Sequence, residues 1–384
     1  MESAICDAIE GETDLSSIDL VVFHCTIGHD LDVLTQTAST LCPGAKVVGC
    51  TCAGVIGKEG ANENLRALAV MAVSASAQQE IAVGVSTHLN GKSSFEEARK
   101  MALAIKEQQA GTNIVQLYAT GIDVACDQLI AGIESAFGPE LPILGGTASD
   151  NMRAERTFQF ANGEVLEHGA VLVGYADPSL NLHAAVHHGF SPIGTGYTVT
   201  KSLHNQIFEI EGQAAWPFLM EKLGLPADQH PGPCIPIAGM GERLSADLQS
   251  AYHNEHILRV ITKVDPSDGS FFFPSDCPEG TTIWFSERNE ELIFQGLETM
   301  MADLVGQIGD EKIVAVYHTD CAARGRALFD KILKEEIIHR MQHPLFPTGV
   351  GPWLGMYGFG EFTPLAGKNL FHNYTTSIYA LTRA

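Results

Sequence analysis

Positive charge is scarce in this chain. Of its 384 residues, 23 are Lys or Arg against 46 Asp or Glu, a formal net charge of −23. A surface of that sign repels phosphate backbones and anionic headgroups, so nucleic acid and membranes are poor partners. Long apolar runs are missing as well. The most apolar window, residues 65–77, is too short to span a bilayer. The opening MESAICDAIEGETDL has neither the basic start nor the apolar core of a secretory leader. Nine cysteines are scattered without a Cys-x-x-Cys pair, which suits free thiols in a reducing compartment and excludes a disulfide framework. The absences lead us to expect a soluble, cytoplasmic protein. Its length allows two domains and a sizeable core.

What is present is a repeat. Residues 20–26 (LVVFHCT), 114–120 (IVQLYAT) and 313–319 (IVAVYHT) align without gaps, and each ends in Thr. Unbroken apolar runs of this kind fit strands buried on both faces. Each is followed by a predicted helix, at 30–41, 124–137 and 322–340. The first two lead on to matching strands, 46–51 (KVVGCT) and 142–147 (PILGGT). Two duplicated β-α-β units are expected, with a third related to them. Between the first two lie strands at 66–74 and 81–87 and a helix capped by Ser93 or Ser94. Beyond residue 147 the pattern turns to β, with a hairpin at 158–166 built on Asn162-Gly163. Further strands are read at 169–175, 181–188, 197–202 and 206–210, then a helix at 213–223 and a Pro/Gly-rich loop at 226–236. An antiparallel meander (257–264, 271–273, 281–285) and a helix at 289–308 precede the third repeat. Strands at 354–362 and 372–381 close the chain. The expected fold is α/β, with two domains (1–212 and 213–384) of mixed sheets flanked by helices.

The densest chemistry lies in residues 312–326, KIVAVYHTDCAARGR. A strand ending near His318 would deliver Thr319, Asp320 and Cys321 to a helix N-terminus, where α/β sheets place ligands. The helix dipole, with Arg324 and Arg326 nearby, would favour a Cys321 thiolate. A Cys321-dependent enzyme is one reading. Against it, the Cys–Arg spacing does not fit a phosphatase loop, and His318 points to the other side of the strand. No base with an orienting group is identifiable, which favours a non-enzymatic role. Ligand binding is the better reading. Arg324 can clamp a carboxylate bidentately, Asp320 or Glu361 can receive an ammonium group, and Tyr357 offers a face. Gly355, Gly358 and Gly360 leave room for close approach. The competing reading is a structural Arg324–Glu361 pair. Haem would need an axial His in an apolar pocket. Strand parity puts His188 with Leu182, Ala184 and Val186, so His188 is the first choice, with His187 and His318 behind it. A backbone carbonyl can satisfy such a histidine equally well. Cys50 and Cys52 are too close in sequence for a usual zinc pair.

A set of segments in fixed order resembles the FIST family, the paired FIST N and FIST C domains of bacterial signalling proteins. They are GCTCAGVIG (49–57), GGTASDN (145–151), FANGEVLEHGAVLV (160–173), HGFSPIG (188–194), YTVT (197–200) and IFEIEGQAA (207–215). The second half adds LRVITKVDPSDGSFFF (258–273), DCAARG (320–325), GMYGFGEFTP (355–364) and HNYTT (372–376). The resemblance implies a cytoplasmic sensor of small ligands, amino acids among those proposed. Some stand-alone members are similar to haem-binding nitric-oxide sensors that regulate histidine kinases. No kinase, receiver or methyl-accepting segment is visible here, so the signal would pass to a separate partner such as a histidine kinase. The expected ligand site joins Asp320, Cys321 and Arg324 to Tyr357, Glu361 and His372.

Overall fold

The computed structural model describes the chain except residues 9–13, 75–79, 227, 229–238 and 326–330, and the side chains of residues 331 and 332. A short helix α1 (Glu2–Ala8) precedes the first unit, β1 (Leu20–Cys25), α2 (Leu31–Leu41) and β2 (Lys46–Thr51). The Asp30 carboxylate caps α2 by accepting the Val33 N–H at 3.1 Å. Then come β3 (Val55–Gly57), β4 (Gly60–Asn62), β5 (Leu68–Val73), β6 (Ile81–Ser86) and α3 (Ser94–Gln108). The second unit is β7 (Ile114–Ala119), α4 (Cys126–Phe137) and β8 (Ile143–Thr147). The hairpin β9 (Phe158–Ala161) and β10 (Glu164–Glu167) follows. Asn162 and Gly163 form its turn at φ 49° and 95°, the left-handed pair that matches the twist of a two-residue hairpin.

Next are β11 (Ala170–Tyr175), β12 (Leu180–His187), β13 (Phe190–Leu203), β14 (Gln206–Ile210), β15 (Gln213–Ala214) and α5 (Ala215–Leu223). The second half continues with β16 (Gly239–Arg243), α6 (Ala246–Tyr252), β17 (His256–Arg259), β18 (Lys263–Asp265), β19 (Ser270–Phe272), β20 (Thr282–Arg288) and α7 (Glu290–Ile308). The third unit is β21 (Lys312–Cys321), α8 (Lys331–Leu345) and β22 (Trp353–Gly358), and the chain closes with β23 (Gly360–Leu365), β24 (Lys368–His372) and β25 (Thr376–Arg383).

All three units place their two strands side by side and parallel. Each parallel pair is flanked on both sides by antiparallel strands: β5 and β9, β11 and β23, β25 and β3. The chain therefore contains one sheet plan three times. Alternation decides what each face meets. Leu20 and Val22, Ile114 and Tyr118, and Ala315 and Tyr317 join one central core shared by the three sheets. Their neighbours turn outward, Val21 and Phe23 toward α2, Val115 and Leu117 toward α3 and α4, Val316 toward α7 and α8. Both faces are thus covered, which is why the runs show no polar alternation.

The third unit differs in register. His24 stands opposite Cys50 and Tyr118 opposite Gly146, but Thr319, not Tyr317, stands opposite Met356. The gapless alignment of the third strand is thus offset by two residues, which preserves its faces because side chains alternate. A register irregularity between Ile313 and Ala315 accompanies the shift.

Sheets cross the middle of the sequence. β12, β3 and β4 share a sheet with β21, β22 and β25, while β23 and β24 extend the sheet of β6, β7, β8 and β11. The remaining antiparallel sheet runs β17-β16-β20-β13-β14-β19-β18. Its strands are not a sequential meander as expected, because β20 lies between β16 and β13 while β18 and β19 pair as an outlying hairpin. The Pro/Gly-rich loop at 226–236 falls almost wholly outside the described residues, as do Arg326 and the opening of the helix expected at 322–340.

Candidate functional site

The three glycine-bearing segments meet one another. The Tyr357 carbonyl accepts the Ala53 N–H at 3.0 Å and the Ser149 hydroxyl at 2.6 Å, and the Tyr357 N–H donates to the Gly54 carbonyl at 2.8 Å. The Ala53 N–H also reaches the Ser149 hydroxyl at 2.8 Å. Chain leaving the C-terminal ends of the three parallel pairs is thereby tied into one junction. Gly358 and Gly360 serve this packing. An added Cβ would come within 2.7 Å of the Thr147 carbonyl and 2.0 Å of the Phe371 ring, respectively.

The third unit brings a buried ion pair to the junction. Its strand β21 runs through Thr319 and Asp320 to Cys321, and Ala322–Arg324 make a single 3-10 turn. The expected helix start at Ala322 is corrected accordingly: the described helix begins at Lys331. Cys321 therefore leads into a 3-10 turn and not directly into an α-helix. Burial pushes its thiol well above the ordinary range, so the expected thiolate is absent. At the corresponding ends of the other two units, Thr26 and Thr120 hydroxyls bond to the Leu65 and Ile122 carbonyls.

Asp320 and Arg324 are each 1% exposed. Arg324 Nε donates to Asp320 Oδ1 at 2.8 Å, and a terminal nitrogen of Arg324 donates to the His188 carbonyl at 3.1 Å. The expected alternative, an Arg324–Glu361 pair, is not what forms; Asp320 is the partner. Glu361 lies across the strands from His372 in the β23–β24 ladder. Its Oε2 accepts the Thr375 hydroxyl at 2.5 Å, while Oε1 is buried without a hydrogen-bond partner. Burial pushes this carboxyl well above its usual range, the charge of Asp320 adding to the shift. His372 donates from Nε2 to the Thr363 carbonyl at 3.3 Å, which leaves Nδ1 as a bare acceptor, buried and unpartnered. Burial lowers its pKa to about 3, so the ring is neutral. Tyr357 is buried beside Asp320 in the parallel pairing of β21 and β22.

Two members escaped the sequence. Tyr252 ends α6, with its ring edge-on to His372 at 5.5 Å and to His188 at 5.3 Å, and its hydroxyl is buried and unpartnered. Arg259 in β17 donates to the Phe371 carbonyl at 2.8 Å and lies 3.4 Å from Glu242. A seven-residue helix carries little periodicity. The available signal was Ser245 ahead of Leu248 and Tyr252, four residues apart.

The histidines sort differently from their expected order. His188 accepts the Phe190 N–H at Nδ1 (2.9 Å) and donates from Nε2 to the His256 carbonyl (2.9 Å), which uses both nitrogens. His187 donates from Nε2 to the Leu292 carbonyl at 3.1 Å and lines an open groove of about 820 Å³ between α6, α7 and β12. His318 is bonded to the Thr376 hydroxyl at 2.8 Å and packs edge-on against Trp353. Among the described residues no group of three or more His, Cys, Asp or Glu is placed to hold a metal ion.

Three parallel-pair units around a shared core, with a buried polar junction at their strand ends, define a three-unit mixed α/β protein. The chain belongs to the FIST family: the FIST N domain matches residues 19–213 and the FIST C domain residues 215–364. FIST domains are sensory domains of signal-transduction proteins. Among curated relatives, the uncharacterized protein Mb0898c of Mycobacterium bovis is 26% identical over 248 residues, 62% of this chain and 60% of that protein. The uncharacterized protein Rv0628c of Mycobacterium tuberculosis is 25% identical over 248 residues, again 62% of this chain and 61% of its own length. The matches thus span about 60% of these relatives. Among solved structures, a cyanuric acid hydrolase aligns at 10% identity and TM-score 0.35 over 100% of this chain and 96% of that one. A chorismatase aligns at 8% identity and TM-score 0.33, covering 97% and 94%. Such scores carry no argument about shared fold or chemistry. No helix among the described residues is long and apolar enough to cross a membrane.

Proposed function

We propose that this protein is a non-catalytic cytoplasmic sensor that binds a small molecule at the junction and signals through a separate partner such as a histidine kinase. One observation carries the reading: Glu361 Oε1, His372 Nδ1 and the Tyr252 hydroxyl are all buried and unpartnered, on residues that adjoin, Glu361 opposite His372 in the β23–β24 ladder and the Tyr252 ring 5.5 Å from that of His372. Folded proteins pair nearly all such atoms, and each one left alone costs on the order of 1–3 kcal/mol. A bound polar molecule would offset that cost. The Asp320–Arg324 pair forms a rigid wall of the site, and Tyr357 holds the loops behind it.

Haem fits less well. The usual axial contact is an imidazole nitrogen facing an apolar cavity, yet Nε2 of His187, His188 and His318 is committed in every case. His188 has no nitrogen left at all. A thiol enzyme is disfavoured by the buried, protonated Cys321.

A thermal-shift screen of small metabolites against wild type and Glu361→Gln tests the proposal. Some compound class should raise the melting temperature of the wild type and not of the variant. If every stabilising compound acts equally on both folded proteins, the junction is not the ligand site.

A further inference from the structure

We propose that the site takes a small organic cation, an alkylammonium head seated against Glu361 with its apolar body in the groove between α6 and α7. The inference rests on the ligand-site reading above and adds the ligand's charge and its route.

Charge accounting points to a cation. Arg324 is matched by Asp320 at 2.8 Å, and Arg259 by Glu242 at 3.4 Å. Asp127 also feels the charge of Arg259. Glu361 feels the charge of Arg324, yet neither guanidinium hydrogen-bonds to it, and its Oε1 is left without a partner. Beside it, His372 Nδ1 is a bare acceptor, and the Tyr252 hydroxyl can accept as well as donate, its ring edge-on to that of His372. An ammonium offers three donors and a charge, and it also binds well to aromatic faces.

The groove supplies the body's place. Its roughly 820 Å³ lies within the range of small-molecule sites. Leu182, Ala184, Val186, Met300 and Leu365 contribute apolar walls, and among the described residues no Lys or Arg lines it. Tyr252 lines the groove and also touches His372. Its ring is therefore the partition that must turn for a head group to pass from groove to Glu361. At the rim, His253 at the end of α6 bonds Asp303 of α7 at 2.7 Å.

Proton balance follows. Empty, Glu361 is protonated, because a lone buried carboxylate is costly. The cation R–NH3⁺ enters, Glu361 ionises, and its proton leaves to solvent, so no net charge is added to the interior. Of the other titratable groups around Glu361, all but the Asp320–Arg324 ion pair stay neutral. His372 is held neutral by burial, and Tyr252, Tyr379, Cys126 and Cys321 are pushed toward their protonated forms. Asp320 and Arg324 remain paired.

Calorimetric titration with hexylammonium, hexanoate and 1-hexanol as probes, in two buffers of different ionisation enthalpy, tests this. Hexylammonium should bind at least about tenfold tighter than either analogue. It should release about one proton per site near neutral pH. Glu361→Gln should weaken hexylammonium about tenfold or more and abolish proton release. Ala184→Leu, which fills the groove away from Glu361, should weaken binding but keep the proton release. No heat with hexylammonium up to about 10 mM, a range that covers even millimolar affinities, would overturn the proposal. So would tight binding without proton release by the wild type, a readout that needs no variant to fold. Hexanoate binding more tightly, and losing affinity in Glu361→Gln, would sink the cationic class while leaving the site itself standing.

Discussion

Removing the Arg324 side chain separates two accounts of the junction. If Arg324 were a ligand clamp, Arg324→Ala would leave a stable protein with affinity reduced about thirtyfold, on the order of 2 kcal/mol. The geometry argues otherwise. Arg324 and Asp320 are each 1% exposed, and the guanidinium bonds both the Asp320 carboxylate and the His188 carbonyl. Deleting it strands a buried carboxylate, for which about 3–5 kcal/mol is the usual cost. That is a large share of a typical domain's 5–15 kcal/mol. Removing both partners, as in Asp320→Asn with Arg324→Met, leaves neither charge of the pair and should recover more than half of the loss. Urea unfolding followed by tryptophan fluorescence reads this directly. A loss below about 1 kcal/mol in Arg324→Ala, or a double variant no better than the single one, would refute the structural role.

Gly49→Ala and Gly145→Ala should each cost about 3 kcal/mol or more. The backbones sit at φ 152° and 124°, and an added Cβ would come within 1.8 Å and 2.1 Å of the Phe23 and Leu117 carbonyls. Gly57→Ala, with nothing within 4 Å, should change urea stability by less than about 0.5 kcal/mol and serves as the control. Among the described cysteines only Cys6 is exposed, so native thiol labelling followed by peptide mapping should find Cys6 modified far faster than Cys321. Rapid Cys321 labelling would contradict its buried, protonated state. The buried histidines should leave stability unchanged above about pH 6.5 and lower it below that value. Burial lowers His24, His187 and His372 to about 3 and His188 to about 4. The unfolded chain therefore binds more protons from about pH 6.5 down to those values. Glu361 acts in the opposite sense, since its raised pKa adds stability at low pH that is lost as pH rises through it. Equal urea midpoints at pH 7 and 5 would contradict the neutral buried histidines.

Much of the fold was legible because it is local. The three apolar runs and the Asn162-Gly163 turn each follow from a few neighbouring residues. The register of the third strand was not legible, because a two-residue slip keeps every side chain on its face. Nor was the pairing of early strands with late ones, as β3 with β22 or β8 with β23, which depends on contacts far apart in sequence. At the site, Glu361 could be named from the glycine-rich segment 355–361 and His372 from the family-like segment 372–376, and the two stand opposite each other in the β23–β24 ladder. Tyr252 could not, since α6 is short and its importance comes from the two histidine rings it touches. The roles of Arg324 and Cys321 depend on burial, which the residues around them do not announce.

The most direct test of the ligand site is a crystal structure of the protein purified without added small molecules, at a resolution that shows ordered water. The account predicts polyatomic, non-protein density within hydrogen-bonding distance of Glu361 Oε1, His372 Nδ1 and the Tyr252 hydroxyl. It is contradicted if those three atoms pair with one another, or if a single water satisfies all of them.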